Sequence, residues 1–129
     1  MAINFLSKLV GGGDEHAFPD YGRERRHWKA LLANEARAAA TATVTKLERD
    51  EYQLTEAGRY GNNEVAGVTL SVSFADALGK EQNRTFPMLI EVDLLARFLP
   101  GAVVEVLYDP DRPEVIAIHS ERTPIEIPS

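Results

Sequence analysis

The chain has 129 residues, 44% hydrophobic and 26% charged, with 20 acidic against 14 basic side chains and a formal charge of -6. That length predicts one domain, and the composition is too apolar for a disordered chain. With no cysteine, disulfides, thiolate zinc sites, iron–sulfur clusters and cysteine nucleophiles are excluded together.

Residues 1–10 contain Ile3, Phe5, Leu6, Leu9 and Val10. At helical spacing Ile3, Leu6, Leu9 and Val10 share one side, so a short amphipathic helix is expected over 3–10. A helix that short is marginal in water and must dock on something. Asn4, Ser7 and Lys8 interrupt the run, which is too short to span a bilayer and has no basic leader of a signal peptide. A cytoplasmic protein is therefore expected. Gly11-Gly12-Gly13 and Pro19 mark residues 11–22 as a linker, and residues 23–129 as a single barrel domain with a leading helix.

A second helix is predicted from Asp20 or Tyr21 to about Asn34, burying Trp28, Leu31 and Leu32. From about Ala38 the period falls to two. Ala40, Ala42 and Val44 alternate with threonines, the pattern of a strand with a small-residue inner face. Residues 50–64 carry Gly58, Gly61, Asn62 and Asn63 and read as a long connection or ragged hairpin. Val68, Leu70, Val72 and Phe74 form the cleanest strand, and a turn at Gly79 follows. Arg84, Phe86, Met88 and Ile90 alternate next, with Pro87 marking an edge because proline cannot donate to a ladder. Val92, Leu95, Phe98 and Leu99 fit a two-turn helix closed by Pro100-Gly101. Ala102–Tyr108 reads as a central strand, 109–113 as a rigid turn and Glu114–His119 as the last strand. The tail to Ser129, with Ile125 and Ile127, is expected to run extended or as an added edge.

Five strands that each need a buried face predict a mainly β protein. The expected fold is a small antiparallel, partly open β-barrel (OB/SH3-like) with N-terminal helices and one short helix between strands 3 and 4.

The segment GAVVEVLYDPDRPEVIAI at 101–118 resembles a bacterial β-rich domain family of unknown function. Its members end in Gly-x-x-Val-x-Val-x-Tyr-Asp-Pro-x-x-Pro and a final apolar strand. AATATVTKL and VTLSVSF are similar to the same pattern, so the likeness covers about residues 38–119. Members often sit beside transmembrane helices. This chain has no such run and would be a soluble version. The resemblance implies no catalytic residue.

At the 109–113 turn, Pro110 and Pro113 fix two φ angles, and Asp109 is placed to bond amides beyond it as an Asx-turn. A calcium loop at Asp109 and Asp111 would need more oxygen ligands than the turn supplies. His16, His27 and His119 lack ligand spacing. His119 and Ser120, as strand neighbours, would point to opposite faces and could not act as base and nucleophile. Glu91 and Asp93 carry no apolar signature that would shift a carboxyl. No catalytic, cofactor or metal residue is assigned, and no enzyme activity is expected.

Charge divides unevenly. Residues 1–49 hold eight basic and six acidic side chains, and residues 50–129 hold six and fourteen. The acidic second half argues against a phosphate-backbone partner, although Arg23, Arg25, Arg26, His27, Trp28 and Lys29 form a basic run. The expected function is a non-catalytic module acting by protein–protein contact or self-association. Its candidate interface is Ile3, Phe5, Leu6, Leu9 and Val10, a stripe that could also make weak contact with a membrane surface. Two alternatives are an acidic, immunity-type inhibitor covering a basic effector, and an OB-like binder of small ligands or single-stranded nucleic acid.

Overall fold

In the computed structural model, backbone is described for residues 8–9, 11–12, 19–50, 59–60 and 63–126, and side chains for 19–50 and 64–126. The helix expected over 3–10 lies largely outside the described residues. Its described part, Lys8–Leu9, is a two-residue strand fragment beside Gly11–Gly12.

The described core is built from α1 (Arg23–Leu32), β1 (Ala38–Arg49), β2 (Asn63–Ala75), β3 (Glu81–Glu91), a 3-10 helix (Val92–Phe98), β4 (Val103–Asp109) and β5 (Arg112–Ile118). All five strands pair antiparallel, in the order β3-β2-β1-β4-β5. The sheet curls into a nearly closed barrel, with the short helix between β3 and β4 as expected. Five antiparallel strands in a nearly closed barrel agree with the small, partly open barrel expected from the sequence. Arg59–Tyr60 extends β2 by pairing with Asn63 and Glu64, a remnant of the ragged hairpin expected there.

β1 makes the curl possible by changing partners midway. Its residues 38–43 pair with β4 and residues 43–49 with β2, and the register slips between Val44 and Lys46. A bulge there adds twist and lets one strand turn a barrel corner. The predicted alternation holds on the inner face. Ala42, Val44, Val68, Leu70, Val72, Met88, Ile90, Val104 and Val106 are all essentially sealed from solvent. Each large side chain among them contributes about 1.5–3 kcal/mol of burial. Pro87 stands in β3 opposite Thr69, and β3 has a strand on one side only, as a proline in a ladder requires.

One end of the barrel is closed by the 3-10 helix and the tail. Phe98 and Leu94 enter the core, as does Ile125, whose carbonyl accepts the Glu91 amide at 2.9 Å. The expected stripe is corrected in one place: Leu99 is about half exposed and Leu94 takes the buried position. Leu99 leaves the stripe because it stands past the helix end with extended backbone and opens the Leu99–Ala102 turn, where Gly101 has φ 94°.

α1 lies outside the barrel over β5 and the gap between β5 and β3. Leu31 and the half-buried Trp28 pack on Leu107, Val115 and Ala117, the outer side chains of β4 and β5. Leu32, expected in this stripe, is about half exposed instead. The helix turns its 24-28-31 edge inward, and Glu24 occupies that edge. Glu24 is 2% exposed. Its Oε2 accepts the Ile118 amide at 2.8 Å, and Arg25 grips the carboxylate with Nε at 2.7 Å and Nη2 at 2.5 Å. Arg25 Nη2 also donates to the Ile118 carbonyl at 2.8 Å. The Glu24–Arg25 pair thus satisfies both backbone groups of Ile118 on a strand edge that no strand covers.

Candidate functional site

The strongest concentration of exposed, rigidly held chemistry lies at the opposite end of the barrel, where the β2–β3 and β4–β5 turns meet. The β2–β3 turn is organised by Asp76. Its Oδ1 accepts the Leu78 and Lys80 amides, both at 2.9 Å, and its Oδ2 accepts Gln82 Nε2 at 2.8 Å. Asp76 and Lys80 close the loop through a backbone bond of 2.9 Å, and Gly79 takes φ 80°, a conformation natural to glycine. The Lys80 amide, then the Gln82 and Leu78 bonds, hold the Asp76 carboxyl below its ordinary value. At the tip of this turn Leu78 is 92% exposed.

The facing β4–β5 turn is equally fixed. Asp109 Oδ1 accepts the Asp111 amide at 2.8 Å, the Asx-turn expected from the sequence, and Asp109 Oδ2 accepts Asn34 Nδ2 at 3.2 Å. Asn34 thereby ties the end of α1 to the turn. Between the two turns is a cavity of about 160 Å³ lined by Ala77, Leu78, Arg84, Tyr108, Pro110 and Pro113, among others. The buried Tyr108 is part of this lining, with its ring centroid 4.9 Å from that of Phe74. Arg84 crosses from β3 to β5, with Nε donating to the Pro113 carbonyl at 2.7 Å.

The candidate interface residues Ile3, Phe5, Leu6 and Val10 lie outside the described residues, and Leu9 is described in backbone only. The basic run of α1 is dispersed rather than massed. Arg25 is spent on Glu24, Ile118 and Ser120, Arg26 pairs with Asp20, and Trp28 lies half-buried under the Arg25 guanidinium. β5 ends at Ile118, so His119 and Ser120 follow it in a turn instead of sharing a strand. His119 meets Trp28 in a tilted ring contact with centroids 5.2 Å apart, while Ser120 Oγ accepts Arg25. Glu91 is buried and Asp93 is exposed. His16 lies outside the described residues.

Sequence reasoning missed Leu78 as a site residue. A leucine between Asp76 and Gly79 in a five-residue turn was the available signal, since such a turn has no inside for it to occupy. No helix among the described residues is long and apolar enough to cross a membrane. No family model, curated protein or solved structure matches the chain.

Proposed function

We propose that this protein is a non-catalytic module that works by protein–protein contact, using the barrel end formed by the β2–β3 and β4–β5 turns. The observation that carries this reading is Leu78, 92% exposed at the tip of a turn fixed by Asp76. A leucine so displayed costs solubility and adds nothing to this fold. Held in advance beside a cavity bearing Tyr108, Arg84 and two prolines, it offers a partner an apolar anchor with little ordering left to do.

The face on which OB-type barrels lay oligonucleotides supports the same choice. Here its strands carry Thr69, Ser71, Ser73 and Thr85, with Ser71 and Thr85 bonded to each other at 2.9 Å. These strands contribute no aromatic ring there on which a base could stack. The Tyr21 ring that lies over Gly67 is pinned by its hydroxyl to Asp50 at 2.6 Å.

The test is site-directed photo-crosslinking in the native cell. A photoreactive residue at position 78 is expected to give a discrete protein adduct, a second copy of the chain included, while the same probe at Glu48 on the outer face of β1 gives none. Leu78→Asp should abolish that contact while leaving the fold intact by circular dichroism. Equal labelling at both positions would refute the reading.

A further inference from the structure

We infer that the seam between β3 and β5 holds a second site, a pocket for a small free carboxylate. This inference does not depend on the contact role of Leu78. The two strands are unpaired, and beneath α1 they leave a cavity of about 190 Å³ lined by Arg23, Glu24, His27, Arg84, Thr85, Phe86, Glu114 and Ile116.

A carboxylate already occupies this strand edge one step away. The His119 amide donates to the Glu105 carbonyl at 2.9 Å, so the odd-numbered residues here bond to β4 and the even-numbered ones face the seam. Ile118 shows this directly, with its amide on Glu24 and its carbonyl on Arg25. Two residues back, Ile116 has the same register against β4 and lines the cavity, so strand geometry turns its amide to the seam side. Glu24 is committed to Ile118 and Arg25, and it leaves the next position on the edge open.

Two guanidiniums line the cavity beside Glu114 and beside Glu24, whose carboxylate is already committed to Ile118 and Arg25. Arg84 bonds only neutral oxygens, those of Pro113, Asn83 and Gln82, and makes no ion pair among the described residues. Arg23 forms no salt bridge among the described residues, and its charge is shared only with the exposed Asp20, which Arg26 already pairs. In a chain of net charge -6, two such guanidiniums beside a strand-edge amide form a local site for an anion. The volume admits an acid of a few carbons and is well below the size of a drug-like ligand pocket. Glu114 at the rim is the opposing charge, and it makes the test sharp.

The experiment titrates the full chain with sodium acetate and sodium succinate against sodium chloride at matched ionic strength, following backbone amides by NMR. A parallel series uses inorganic phosphate. Saturable shifts at Ile116 and Thr85 with the carboxylates, absent with chloride, are expected. Arg23→Gln should weaken binding and Glu114→Gln should strengthen it, each by about threefold or more. Arg84→Gln should abolish it; because Arg84 also joins β3 to β5, the other two variants decide the matter if that one fails to fold. Shifts that do not saturate, that appear equally with chloride or only with phosphate, or that ignore Glu114→Gln, would overturn the inference. A failure here leaves the Leu78 adduct untouched, so the two proposals fall separately.

Discussion

Replacing Glu24 by alanine tests the idea that α1 is held by its imitation of a strand edge. The substitution removes the acceptor of the Ile118 amide and both contacts of Arg25 to the carboxylate. An orphaned buried N–H costs about 1–3 kcal/mol. Breaking a fully buried ion pair costs about 3–5 kcal/mol. Arg25, however, keeps 28% of its side chain exposed and retains Ser120 and the Ile118 carbonyl, so water and these acceptors recover part of the loss. The expected destabilisation is about 3 kcal/mol, a fall in Tm of roughly 10 °C for a domain of this size. Glu24→Gln keeps a carbonyl for Ile118 but turns an amide N–H toward Arg25, and should cost about 1–2 kcal/mol. Urea unfolding followed in parallel by circular dichroism and by Trp28 fluorescence measures both, because Trp28 reports directly on α1 docking. An alanine variant within about 0.5 kcal/mol of the parent would refute the reasoning, since ordinary surface substitutions fall in that range.

Two further predictions concern the turns and the helix approach. A Cβ at Gly67 would stand 2.6 Å from Tyr21 Cζ, so Gly67→Ala should push the ring off Asp50. The expected cost is about 1–2 kcal/mol, and the double variant with Tyr21→Phe should be less than additive in a denaturation cycle; full additivity would contradict the clash. At Asp76, the bonds from Lys80, Gln82 and Leu78 lower the folded-state pKa below the ordinary 3.8. The folded chain therefore binds this proton less readily than the unfolded chain. The contribution of the carboxylate is complete above the unfolded value and is lost as pH falls through the folded one. The stability gap between the parent and Asp76→Asn should therefore narrow between about pH 6 and about pH 3; a gap that stays constant across that range would rule out the carboxylate as its source.

The alternation of Val68, Leu70, Val72 and Phe74 made the barrel legible, because a period of two has one physical meaning when every second residue is oily. The same logic located β1, β3, β4 and β5, while the missing proline N–H marked the edge and the Asp109 carboxylate the Asx-turn. It could not say that β1 serves both β2 and β4, because partner exchange depends on one unpaired residue near Thr45 that leaves no mark in the hydrophobic pattern. Nor could it say which two edges would face each other across the seam.

That missing geometry explains why Glu24 was overlooked. Hydropathy assigns a glutamate to the solvent face of a helix, and on that rule Leu32 belongs in the buried stripe. What decides the contest is the β5 edge. An uncovered strand must satisfy Ile118 with something, and a helix carrying only leucines would leave its amide bare. Rotating α1 by part of a turn exposes Leu32, at the loss of some apolar burial, and gains a charged acceptor for a backbone donor. An unsatisfied buried amide costs about as much as a half-buried leucine contributes, and the Arg25 bonds tip the balance toward Glu24. The exposed Leu78 tip was hidden for the converse reason. Leu78 breaks the hydropathy rule in the opposite direction, apolar and outside, and only the hydrogen-bonded turn beneath it distinguishes a displayed leucine from a stray one.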